Sequence, residues 1–303
     1  MALPPHATLF ERIWRRFYLV FCAAVFVFLI APIIVILPLS FNAEPYFTFT
    51  REMLSLDPAG FSLRWYDRLL TYGMTAPEVA RDTAWWLDAW ANSQWLHAAK
   101  NSFLIGIAST LVATILGTLA ALGLSRPEMP FRRAVMALLI SPMIVPMIIS
   151  ATGLFFFYSK AGLAHTYIGI VLAHAMLGIP FVIITVTATL VGFDRSLIHA
   201  AASLGATPVE TFRKVILPLI LPGVISGALF AFVTSFDEVV VVLFIASYDQ
   251  QTIPLQMWNG IREQISPAIL AAATILIIFS MALLTTLELL RRRTERLRGL
   301  APD

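Results

Sequence analysis

The chain has 303 residues, 59% of them hydrophobic and 13% charged, with a net charge of +3 and a mean hydropathy of +0.82. A soluble domain is about one quarter charged, so this composition excludes an ordinary water-soluble globular domain. The small positive charge gives no sign of nucleic-acid binding, and the single cysteine, Cys22, allows no internal disulfide.

A helix that crosses a bilayer needs roughly 20 consecutive apolar residues. Runs of that kind at 17–40, 101–124, 134–158, 165–190, 222–246 and 267–290 predict an all-α membrane protein with six transmembrane helices. Arg12, Arg15 and Arg16 precede the first run, as in a signal peptide. The run is too long for one, lacks a small-residue cleavage site near its end, and reads as an uncleaved first span. With the N-terminus inside, the cytoplasmic ends carry these three arginines, then Arg126, Arg132 and Arg133, then Arg195, Arg213 and Lys214, and finally Arg291, Arg292, Arg293, Arg296 and Arg298. Those are fourteen of the 21 Lys and Arg. Five of the others lie in one long loop, 41–100, where the positive-inside rule has little force, and the short outer loops hold only Lys160 and Arg262. Both termini are therefore expected in the cytoplasm.

The loop 41–100 holds five of the seven tryptophans: Trp65, Trp85, Trp86, Trp90 and Trp95. Thr75, Pro77 and Glu78 form a helix start, after which Trp86, Ala89 and Trp90 fall on one face and Arg81, Asp82 and Asp88 elsewhere. Two compatible readings are open: a Trp-rich helix lying along the outer membrane interface, or a docking surface for an extracytoplasmic partner. Further along, Phe155, Phe156, Phe157 and Tyr158 read as an aromatic belt. Pro142, Pro146 and Pro180 read as kinks that permit rocking. His165 and His174, nine residues apart, lack the spacing of adjacent-turn metal ligands and read as interfacial or hydrogen-bonded.

Residues 196–222, SLIHAAASLGATPVETFRKVILPLILP, are polar and punctuated by Gly and Pro between two very apolar stretches. Ser196 or Asp194 caps a short helix on which Leu197, Ala200, Ala201 and Leu204 recur at helical spacing. Gly205 ends it in the left-handed conformation. Thr207, Pro208 and Glu210 occupy the N-cap, N1 and N3 positions of a capping box. The second helix carries Phe212, Val215, Ile216 and Leu219 on one face, and Pro218 and Pro222 bend the chain back into the membrane. Such a protrusion, with a face of alanines that permits close approach, suits a soluble partner.

At these residues the chain resembles the binding-protein-dependent ABC importers, whose permeases carry an E-A-A, three residues, G, nine residues, hydrophobic-L-P loop. Ala200, Ala201, Gly205, Leu217 and Pro218 match it, and His199 departs from it, standing where the family usually has Glu. The resemblance implies a type I importer permease fold in which His199, Ala200, Ala201, Gly205, Ala206, Leu217 and Pro218 form a cytoplasmic coupling loop seated in the ATP-binding subunit. Asn101-Ser102, Ser141-Pro142 with Pro146, Pro180-Phe181, SFDEVVVVLF and TIPLQMWNGIREQISPAILAAATILI look like the spermidine/putrescine branch. That likeness covers 98–290 and, in general character, 1–42, whereas the loop 43–97 is longer and different from that branch.

Asp237 and Glu238 fall inside the run 222–246, where an acid costs roughly 2.5–3.5 kcal/mol on insertion scales. Thr234 and Val241 share a helical face with Asp237. One reading lines a cationic substrate path with Asp237, Glu238 and Thr234. The other is a polar contact between helices. Trp258 stands at the outer mouth, as a substrate or binding-protein contact or as a belt residue. No G-x-x-x-x-G-K-[ST], H-E-x-x-H or G-x-S-x-G occurs, so energy must come from another subunit and no catalytic residue, metal or cofactor is expected.

The expected organisation is a tail and first span at 1–42, a periplasmic loop at 43–97, a transmembrane core at 98–290 with its coupling loop at 194–218, and a basic cytoplasmic tail at 291–303. The resemblance implies a multi-pass permease of the bacterial inner membrane, surrounded by lipid. Its expected partners are an ATP-binding dimer, a second, different permease subunit and a periplasmic substrate-binding protein, with a polyamine as cargo. Alternatives are another organic cation, an amino-acid conjugate or a phosphonate in the same architecture, or an ATP-independent channel or secondary carrier. An intramembrane enzyme would need a catalytic constellation that the chain lacks.

Overall fold

The computed structural model describes residues 8–126, 128–191, 194, 196–263 and 265–297; of the basic residues assigned to the cytoplasm, Arg195 and Arg298 lie outside them. Two compact units emerge, one from residues 1–72 with 260–303 and one from 73–259. In the first, α1 (Leu9–Leu39) opens on a capping box between Thr8 and Glu11 and runs through Pro32. After it come α2 (Arg51–Leu54) and α3 (Arg64–Thr71). The buried Trp65 donates its indole N–H to the Asn42 carbonyl at 2.7 Å, and Ser40 shares a 2.7 Å hydrogen bond with Tyr66. These bonds tie α3 back to the end of α1.

The second unit begins with α4 (Thr83–Asn92) and α5 (Gln94–Leu124). Helix α4 starts later than expected: its N-cap is Asp82, whose carboxylate accepts from the Trp85 N–H at 2.8 Å, and Thr75, Pro77 and Glu78 are outside any helix. Asp88 holds that preceding segment by accepting from the N–H groups of Thr75 and Ala76. The face assignment also changes. Trp85 and Ala89 are buried, while Trp86 and Trp90 are exposed on the opposite side.

The run 134–158 is not one continuous helix. It divides into α6 (Arg132–Ile140), a 3-10 turn at Ser141–Met143 and α7 (Met147–Ala161), with a bend of 97° between the halves. Pro142 and Pro146 each remove a helical donor, and a residue before proline is pushed out of the helical region. Tyr158 leaves the expected aromatic belt and is buried in the core, while Phe156 and Phe157 remain exposed. Pro180, by contrast, sits inside the uninterrupted α8 (Tyr167–Val191).

After the short α9 (Ser196–Ser203) and α10 (Pro208–Thr211), a π-turn at Phe212–Ile216 leads into α11 (Leu217–Phe236), so Pro208–Phe236 forms one helical run. The chain passes Pro218 and Pro222 without the expected departure from the helix. The π-turn inserts one extra residue per turn, which relieves the contact the Pro218 ring would make with the preceding turn, whereas Pro222 sits inside α11 beyond it. The π-turn also shifts the register, so that Ile220 rather than Leu219 is buried. The span expected at 222–246 then stops at Phe236. Residues 237–239 are non-helical, and α12 (Val240–Ile245) and α13 (Ile253–Glu263) follow, before α14 (Ala268–Leu297) returns to the first unit and packs on α1 and α3. Among the described residues five helices are long and apolar enough to cross a bilayer, or six counting the bent pair.

Helices α5, α8 and α11 form the heart of the second unit. Ala113, Ala121, Ala175, Val182, Val186, Ile220 and Ala231 fill their seam. Small residues let backbones approach closely in this setting. A Cβ placed on Gly227 would lie 2.5 Å from the Thr185 hydroxyl and 2.7 Å from the Val182 Cα, so only glycine fits there.

Candidate functional site

Beyond α8, the chain folds into a polar protrusion held by local hydrogen bonds. Asp194 accepts from the Ser196 N–H at 2.9 Å, which holds its carboxyl below the usual carboxylate range. Gly205 follows α9 with φ +81, in the left-handed region, with nothing near the position of a Cβ. Thr207 and Glu210 close the capping box: the Thr207 hydroxyl accepts from the Glu210 N–H, and the Glu210 carboxylate accepts from the Thr207 N–H at 3.0 Å. That backbone bond, followed by the Thr207 hydroxyl and Lys214, keeps the Glu210 carboxyl below its ordinary value. Leu204 and Val209 are largely exposed despite being apolar. Ala201 is buried, while His199 and Ala200 are exposed.

An open groove of about 560 Å³ runs between this protrusion and the ends of α5 and α8. His199 and Ala206 line it, facing Arg126, Glu128 and Leu122. The structure therefore places His199, Ala200, Ala201, Gly205 and Ala206 in one exposed protrusion. Leu217 and Pro218 lie further on, past the π-turn.

At the far end of α11 the two acids separate. Asp237 ends the helix and is exposed, whereas Glu238 is buried and accepts from the Val241 N–H at 2.8 Å, capping α12. Val241 no longer shares one continuous helix with Thr234 and Asp237, because the break falls between them. Directly before the break, Ser235 joins three helices: the Ser109 hydroxyl donates to its oxygen at 2.9 Å, and the Nδ1 of buried His174 lies 2.8 Å away. The sequence marks His174 as hydrogen-bonded but does not reveal its partner, since 61 residues separate it from Ser235.

Nearby, the Asp249 carbonyl gathers His97 Nε2, Asn101 Nδ2 and the Tyr167 hydroxyl, each at 2.8 Å, and Ser102 accepts from the Ile253 N–H. Those bonds pin the segment after α12 onto the start of α5. Asn101 and Ser102 stand out in the sequence only through resemblance, because polar residues opening a span are indistinguishable there from solvated ones. Trp258 is partly exposed on α13, and no described contact joins it to Asp237.

The model of the binding-protein-dependent transport system inner membrane component family matches residues 113–296. The chain belongs to that family. It is a multi-pass membrane permease of an ABC importer, a non-catalytic subunit that works with ATP-binding and substrate-binding partners. The permease is 32% identical over 282 residues to the spermidine/putrescine transport system permease protein PotC of Haemophilus influenzae, covering 92% of this chain and 99% of that protein. It is 31% identical over 262 residues to the putrescine transport system permease protein PotI of Escherichia coli, covering 83% and 82% respectively. A probable molybdenum ABC transporter permease of Haloferax volcanii is 33% identical over a shorter 171 residues, 54% of this chain and 63% of that protein. Among solved structures, a bacterial ABC transporter involved in the import of the acidic polysaccharide alginate superposes with a TM-score of 0.67. It covers 94% of this chain and 99% of that one at 17% identity, which establishes the type I permease fold.

Proposed function

We propose that the permease forms half of the translocation path for a polyamine of the spermidine/putrescine class, in the bacterial inner membrane with both termini in the cytoplasm. The likeness to PotC over nearly the whole of both chains carries this reading. The exposed carboxylate of Asp237, at the broken end of α11, supports it because it offers a counter-charge to an ammonium group. Thr234 and Trp258 belong to the same path. Glu238, occupied in capping α12, supports the wall of that path.

Residues 194–218 couple the permease to an ATP-binding dimer, with His199, Ala200, Gly205 and Ala206 at the contact, buried Ala201 packed behind them, and Leu217 and Pro218 at the root. A second, different permease completes the pore, and a periplasmic binding protein delivers the ligand. Nucleotide-driven closure of the dimer moves the protrusion and shifts the spans between outward- and inward-open states.

The test is ligand-stimulated ATPase activity of the reconstituted complex with its binding protein, comparing spermidine and putrescine with unrelated solutes and running Gly205→Asp in parallel. Stimulation by polyamines that vanishes in the variant is the expected result. Stimulation only by another solute removes the polyamine assignment and leaves the importer. A Gly205→Asp complex that assembles and transports normally removes the coupling assignment, and transport without ATP would point to a channel or secondary carrier. A second cargo reading, another small solute in the same architecture, draws on the shorter likeness to the probable molybdenum permease.

A further inference from the structure

Helix α4 is apolar on both sides. Trp85 and Ala89 are buried, yet Trp86, Leu87 and Trp90, which share the opposite face, are each more than half exposed. Asp88 and Asn92 occupy only its flank, and a short helix with two apolar faces requires cover on both. The next helix shows what supplies it. On α5, Leu104, Ile107, Leu111, Ile115 and Leu119 recur at helical spacing, and each is more than half exposed along a span that crosses the bilayer.

Lys100 stands one turn above Leu104 on that same stripe. Its ammonium lies 4.6 Å from the centre of the Trp90 ring and donates to the Trp90 carbonyl at 2.6 Å. The membrane-facing stripe of α5 therefore continues through Lys100 onto the exposed face of α4. Tryptophan favours the headgroup level, where its ring is in apolar surroundings and its N–H in water. An ammonium has three donors, so two remain on Lys100 for an anion at that level.

We propose that the Trp86–Leu87–Trp90 face of α4 is a membrane-interface anchor, inserted among phospholipids, with Lys100 pairing with a lipid phosphate. The orientation proposed above decides only which leaflet this is: the outer one. The anchor fastens the start of α5, and through Asn101 the Asp249 segment, to the surface of the bilayer.

The test uses the full complex in vesicles of phosphatidylethanolamine and phosphatidylglycerol. In a Cys22→Ser background, a nitroxide is placed at Leu87→Cys or, as a control, at exposed Glu78→Cys, and collisions with oxygen and with a water-soluble nickel chelate are compared. Oxygen should dominate at position 87 and the chelate at position 78. Equal chelate access at both positions overturns the proposal. So does shielding of position 87 only after the binding protein is added, which would make this face a protein-docking surface. The second readout is the enrichment of spin-labelled phosphatidylglycerol around the complex. Lys100→Gln should lower it by up to about fivefold, and unchanged enrichment overturns the assignment of Lys100. Both readouts are independent of the cargo, so failure of the polyamine reading leaves this test intact.

Discussion

The seam of α5, α8 and α11 and the protrusion at 194–211 solve opposite problems. In the seam, backbones approach until a single methyl group would collide, and stability comes from contact between small and branched side chains. In the protrusion almost nothing is buried, and shape comes from caps and one left-handed glycine. The contrast teaches that a permease can give an exposed element a defined shape without giving it a core. It follows that damage to the seam should destroy the fold, while damage to the protrusion should spare the fold and change only its tip.

The sharpest test of that difference is Gly227→Val. Overpacking against Thr185 and Val182 should cost about 3 kcal/mol or more, read as loss of monodisperse protein in detergent extracts. A variant that purifies normally would show that the seam is looser than its geometry. Next is Ser235→Ala, which leaves buried His174 Nδ1 without its partner at a cost of about 1–3 kcal/mol. Thermal unfolding in nanodiscs should register that loss, and Ser235→Thr, which restores a hydroxyl, should recover part of it.

Gly205→Val meets no neighbour and carries only the strain of φ +81, about 1–2 kcal/mol. The permease should fold with its melting temperature nearly intact, the change confined to hydrogen exchange over 196–211. The smallest effect is expected at Thr207→Ala, where loss of the cap costs about 1 kcal/mol of local helix stability. Because the folded Glu210 carboxyl titrates below its ordinary value of 4.5, its contribution is complete above that value and disappears as pH falls through the lower, folded one. The protection of the 207–211 amides, taken relative to the intrinsic exchange rate at each pH, should therefore fall on acidification in the native permease. In Thr207→Ala, which loses the hydroxyl but keeps Glu210's bond to the backbone, that acid response should shrink.

Features written in adjacent residues were legible in the sequence. The left-handed Gly205 and the box of Thr207 and Glu210 depend on neighbours within three positions, and all are found where the spacing predicts them. The apolar runs located the membrane helices for the same reason. Continuity was harder to read. Hydropathy is blind to whether a run bends: Pro142 and Pro146 foretold a kink but not its 97° size, the stop at Phe236 did not register, and Pro218 and Pro222, which suggest a bend, lie within one helical run. At the candidate site, two adjacent acids look equivalent as letters. Only the end of α11 separates an exposed Asp237 from a Glu238 committed to the Val241 N–H. The bonds of Ser235 with Ser109 and His174 join residues far apart in the chain, and no local pattern encodes them.

The unbroken helix from Pro208 to Phe236 has a mechanical consequence. Its 29 residues make a rod about 43 Å long, with an exposed foot at Thr207 and a carboxylate at its tip. No break in the helix separates the two ends. A push or twist on the foot is carried as torque along a stiff shaft, and the widened π-turn near its base acts as a collar that fixes the angle at which foot and tip are set. Lengthening that shaft by a single residue at the collar would rotate the tip by about 100°, leaving every contact at the foot intact while aiming Asp237 in a different direction.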